Sequence, residues 1–170
     1  MNEICFGKSL FVDSNHSIYI SESSPQYPHA NRVMKFEINN TIGRVVAGST
    51  TFGSDMNQLY LPGTILVDSQ GMLYVADTGN SRIQRFTPGD RNGMPVMFVA
   101  NLNDFIMDQD GHFFVTIKSE NVLRRMDRDG NVTEFLDQPT KMRFAIDGSI
   151  YVLNQGNRTI QRFQIMNNIC

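Results

Sequence analysis

Four aspartates recur at the ends of short apolar runs: Asp13, Asp68, Asp108 and Asp147, separated by 55, 40 and 39 residues. Carboxylates gathered into a ring are a plausible calcium chemistry. Recurrence in register points instead to an acceptor that every unit needs for its own turn amides. Asp77, in Val75-Ala76-Asp77-Thr78-Gly79-Asn80, reads as structural in the same way. The histidines are His16, His29 and His112. A zinc site needs ligand atoms about 2 Å from one ion. His16 and His112 fall on turns of different units and His29 on an insertion, so no metal or cofactor site is expected. Neither cysteine and no serine has a neighbouring base motif, so no catalytic nucleophile is expected either. The cations are more suggestive. Arg82, Arg85, Arg124, Arg125, Arg128, Arg158 and Arg162 lie on or beside the third apolar run of their units. Such a set could meet a phosphate backbone, but the favoured reading is that it keeps a sheet edge soluble with its stems over apolar neighbours.

These residues ride on a repeat. The clearest unit is LPGTILVDSQGMLYVADTGNSRIQRF, Leu61 to Phe86. The same plan recurs from Phe6 to Phe36, Leu102 to Met126 and Met142 to Phe163. After each aspartate comes an aromatic: Tyr19, Tyr74, Phe114 and Tyr151. The third run closes on Phe36, Phe86, Met126 and Phe163. A period near 40 residues built from short apolar runs marks propeller blades, and no stretch shows the helical period. Within the best unit the strands are Thr64–Val67, Met72–Ala76, Arg82–Phe86 and Val96–Ala100, with loops at Asp68–Gly71 and Pro88–Pro95. The first strands are apolar at consecutive positions (Ile65-Leu66-Val67, Leu10-Phe11-Val12, Phe105-Ile106-Met107), which predicts burial on both faces. The expected fold is all-β: about four blades of antiparallel sheet in a single domain or fragment over 1–170, with units near 6–49, 60–100, 101–136 and 137–165.

Composition narrows the function. The net charge of −2 and pI near 5.9 argue against a chain built chiefly to grip nucleic acid. No apolar run is long enough to span a membrane, and Met1 to Phe6 carries no leader pattern, so no membrane insertion is expected. Sequons at Asn15, Asn39, Asn131 and Asn157 are too easily produced by chance in an Asn-rich chain to assign a compartment. Cys5 and Cys170 do not form a disulfide framework, and in an open fragment they are not expected to pair.

Leu61 to Phe86 resembles the NHL repeat, in which a Pro-Gly opening, a V-D-x-x-G turn, L-Y-V-A-D and N-x-R-I-x-x-F follow in order. Asn31-Arg32-Val33-Met34-Lys35-Phe36 is similar to its third-strand part. The first unit departs by an insertion, Ser23 to His29; the third has Val122, and the fourth Thr159, where the motif has Arg82. The resemblance implies an NHL-type β-propeller. Rings in that family usually have six blades, so four units imply either a four-bladed closure or, the favoured reading, an incomplete ring with open blade edges able to self-associate. It also implies three roles. The first is a non-enzymatic scaffold for a protein partner, its variable loops carried on a rigid frame; the insertion Ser21–Asn31, with Tyr27 and His29, is the candidate contact. The second is single-stranded RNA binding through Arg82, Arg85, Arg124, Arg125, Arg158 and Arg162. The third is a metal-dependent lyase or lactonase-like activity, whose histidine set cannot be placed on this sequence.

Overall fold

The computed structural model describes residues 6–120, 122–127, 131–137, 139–154 and 157–164. Arg128, Cys5 and Cys170 lie outside the described residues. The chain divides into two compact units, Met1–Ala100 and Asn101–Cys170. The first holds an antiparallel sheet of β1 (Gly7–Val12), β2 (Ile18–Glu22), β3 (Arg32–Phe36) and β4 (Arg44–Gly48). Its second sheet comprises β5 (Pro62–Val67), β6 (Leu73–Asp77), β7 (Arg82–Phe86) and β8 (Met94–Phe98). The other unit repeats the plan with β9 (Leu102–Met107), β10 (Phe113–Ile117), β11 (Val122–Met126) and β12 (Val132–Asp137). It continues with β13 (Pro139–Phe144), β14 (Ile150–Asn154) and β15 (Thr159–Phe163). Every sheet is an up-and-down meander. The third strand of the Leu61–Phe86 unit has the expected limits. Its fourth begins two residues earlier than expected, so Pro95 belongs to β8 and not to the preceding loop. β8 is an edge strand, where a missing amide is tolerated.

The turn aspartates do what their recurrence implied. Asp13 Oδ1 accepts the amides of Asn15 and Ser17; Asp68 Oδ1 those of Gln70 and Met72; Asp108 Oδ1 those of Asp110 and His112. Three residues after each, the chain turns left-handed at His16, Gly71 and Gly111. The fourth unit corrects the sequence alignment. Its left-handed residue is Gly148, and the amide that closes the turn belongs to Ala145. Ala145 therefore occupies the aspartate position, and Asp147 stands two residues later. From there Asp147 accepts the amide and hydroxyl of Ser149 instead.

In Met1–Ala100 the core is the seam between the two sheets. Tyr19, Val33 and Ala47 meet Ile65, Val67, Leu73, Val75 and Phe86, with Leu59 from the connection. In the other unit Ile106, Phe114 and Leu123 meet Met142, Ile150 and Val152. Burial on both faces holds for β5, where every residue but Leu66 is buried. It fails for β1: Leu10 and Val12 are 60% and 51% exposed. Alternation along the strand explains this. Phe11 faces the seam with Tyr19, and its neighbours point to the opposite face, which no described element of that unit covers.

Acid tests the first turn. Burial alone raises the Asp13 carboxyl, but the amides of Ser17 and Asn15, then the Lys35 ammonium, outweigh it and hold the group below its ordinary 3.8. A folded value below the unfolded one means stabilisation present above about pH 4 and lost as pH falls through the folded value. The urea midpoint is expected to fall between pH 7 and pH 3, and to fall less in Asp13→Asn.

Candidate functional site

The insertion between β2 and β3 is anchored at its base and open at its tip. Asn31, fully buried, donates through Nδ2 to the Ser24 carbonyl (2.7 Å) and the Tyr27 carbonyl (3.3 Å). Its Oδ1 accepts the Leu61 amide at 2.8 Å, tying the insertion to the start of the next sheet. Ser24 Oγ accepts the amides of Gln26 and Tyr27, and Pro28–Ala30 closes as a 3-10 turn over the buried Ala30. Outside, beside Pro25 and Gln26, stand two aromatic rings. Tyr27, 45% exposed, stacks on Phe6 with ring centroids 5.1 Å apart and an 18° interplanar angle. His29 meets the Tyr27 ring edge-on at 6.1 Å. The structure thus brings Tyr27 and His29 together and adds Phe6, which its sequence position did not suggest.

The arginines are scattered. Arg82 is 7% exposed and donates through Nε to Asp77 Oδ2 at 2.7 Å, so burial removes it from the candidate surface contacts. Arg85 is half-buried on the opposite face of β7, across from Tyr74. Arg124 pairs with Glu120, and its neighbour Arg125 points to the other face of β11, across from Phe114. Arg162 pairs with Asp147, and Arg158 is exposed in a left-handed conformation just before β15. Alternation on a strand splits these cations between faces, and the described ones form no single basic surface within either unit.

The sequence reading passed over one cluster. In the β9–β10 turn, ligand atoms of Asp108, Asp110 and His112 lie within 4.8 Å of one another. His112 Nδ1 is 2.8 Å from Asp108 Oδ2. The Asp-x-Asp-Gly-His spacing was the signal: two carboxylates and an imidazole within five residues are crowded onto one tight turn.

The NHL repeat family matches residues 59–86. No curated protein matches the chain. Among solved structures the chain is similar to a catalytically inactive virginiamycin B lyase from Staphylococcus aureus with quinupristin: 13% identity, 98% of this chain, 58% of that one, TM-score 0.59. It is similar to a streptogramin B lyase at 16% identity, covering 95% of this chain and 55% of that one, TM-score 0.58. A chain of a nidogen/laminin complex matches at 13% identity over 92% of this chain and 60% of that one, TM-score 0.71. The chain therefore spans somewhat more than half the length of these structures. At such identities the likeness is one of fold, the β-propeller. With an NHL-repeat match over residues 59–86 and the same strand plan in the other sheets, the chain carries an NHL repeat and is built from antiparallel β-propeller blades.

Proposed function

We propose that the chain is a non-enzymatic interaction platform whose insertion between β2 and β3 contacts a protein partner. The observation that carries this is the Phe6–Tyr27–His29 aromatic tip on a buried Asn31 anchor. Exposed aromatics held by a fixed base offer contact area with little ordering cost on binding. The presence of a chain from a nidogen/laminin complex among the structural neighbours is in keeping with such a role. The test is quantitative affinity capture on the immobilised chain, wild type against Tyr27→Ala. A partner is expected to lose about tenfold or more of its affinity on truncation of a central aromatic. An identical set retained at equal affinity by both chains overturns the reading.

Single-stranded RNA is the second reading, supported by exposed Arg158 and by the recurrence of an arginine opposite an aromatic in β7, β11 and β15. The pairing of Arg82, Arg124 and Arg162 with acids weighs against it. A salt-sensitive shift of labelled single-stranded RNA would transfer the assignment to that class. A lyase activity draws on the two lyase neighbours; stoichiometric bound metal in the purified protein would favour it.

A further inference from the structure

Two turns of the unit Asn101–Cys170, Asp108–His112 and Ala145–Ser149, border a cleft of about 750 Å³. Met107 and Phe144 supply its apolar part, and Phe144 rests edge-on against Phe114 at 5.9 Å. Among the described residues its polar lining carries three carboxylates, Asp108, Asp110 and Asp147, and no lysine, arginine or histidine. Asp108 is engaged by two amides and His112, and Asp147 by Ser149 and Arg162. The Asp110 carboxylate is exposed and accepts no hydrogen bond among the described residues. In the other unit Lys35 Nζ stands 3.8 Å from Asp13, and the Tyr74 hydroxyl donates to Asp68. In this sheet the equivalent aromatic is Phe114, which has no hydroxyl, and the Nε of Arg125 across from it has no hydrogen-bond partner among the described residues. With Arg162 on Asp147 and His112 on Asp108, the Asp110 carboxylate is the one left without a partner among the described residues, beside apolar surface.

We propose that this cleft docks a cationic, partly apolar segment of a protein partner: a lysine or arginine at the acidic rim and the adjoining aliphatic side chain against Met107 and Phe144. Charge complementarity selects that occupant, and the apolar floor separates it from a bare counterion. A chelated divalent cation fits less well, because both Asp108 oxygens already hold protein donors and Asp110 alone among the three has a free carboxylate. The proposal rests on the protein-binding reading and deepens it with a second contact site.

The probe is a fluorescein-labelled peptide, Gly-Ser-Arg-Leu-Lys-Ser-Gly, with a twin in which both basic residues are glutamate. It is titrated into the 170-residue chain and mapped by amide chemical shifts. The cationic peptide is expected to bind and the acidic one not. Binding should weaken with added salt and fall about three- to fivefold in Asp110→Asn, an exposed change that keeps the turn amide bond. Shifts should concentrate at residues 107–110 and 144–149. Equal binding of the two peptides, or no effect of Asp110→Asn, overturns the proposal. Shifts confined to residues 23–31 also overturn it, yet leave the interaction-platform reading standing. Calcium alone moving the Asp110 signal, with the peptide inert, replaces the occupant with a metal and overturns it too.

Discussion

Asp77→Ala is expected to cost the unit Met1–Ala100 about 3–5 kcal/mol, enough to unfold much of it. The carboxylate is fully buried and serves four donors. Oδ1 accepts the Tyr60 amide at 2.7 Å; Oδ2 accepts Arg82 Nε at 2.7 Å, Asn80 Nδ2 at 2.8 Å and Gln84 Nε2 at 3.3 Å. Arg82 in turn donates to the Asp55 and Gln58 carbonyls, so the pair also fastens the connection between the two sheets. Removing the carboxylate strands a buried guanidinium together with several donors, and that uncompensated charge dominates the loss. Asp77→Asn keeps a neutral acceptor and is expected to lose less. Hydrogen exchange over residues 59–86, with a urea titration followed by far-ultraviolet circular dichroism, reads both. A loss below about 1 kcal/mol would show that the pair contributes little. The corresponding position is Glu22 with Arg32 in the first sheet, but Ile117 with Val122 and Asn154 with Thr159 in the other unit. An uncharged pair at the same register is a workable substitute when both partners change together.

Phe86→Ala is expected to cost about 3–5 kcal/mol through the cavity it leaves, and Phe163→Ala clearly less. Both close the third strand of their sheets. Phe86 is 2% exposed, within the seam of Tyr19, Val33, Ile65 and Val75, whereas Phe163 is half-buried at the margin of its cluster. The Phe86 ring also lies on Gly93: a Cβ there would come within 2.6 Å of its Cζ. Phe36 and Gly43 repeat that fit in the first sheet, at 2.5 Å. Gly93→Ala should therefore destabilise in the same direction as Phe86→Ala. Paired urea titrations of the two phenylalanine variants decide the point, and equal midpoints would show that the repeated aromatic does not mark the core.

The blade plan could be read from the chain because its signals are local. An aspartate that accepts amides two and four residues ahead, a left-handed residue after it, and an apolar strand on each side all fall within about a dozen residues. The same locality misled the reading of Asp147, since a two-residue shift of register keeps an aspartate in the turn while Ala145 takes the first position. Whether Leu10 or Ile65 is covered, and whether Arg82 faces water or Asp77, depends on which strand packs on which face. Sequence periodicity alone does not carry that information. The acid-lined cleft lies further still from local pattern, because it exists only where turns from two successive sheets, far apart along the chain, come side by side. Short-range turn and strand chemistry is written residue by residue, while burial, charge pairing and clefts are properties of which distant surfaces meet.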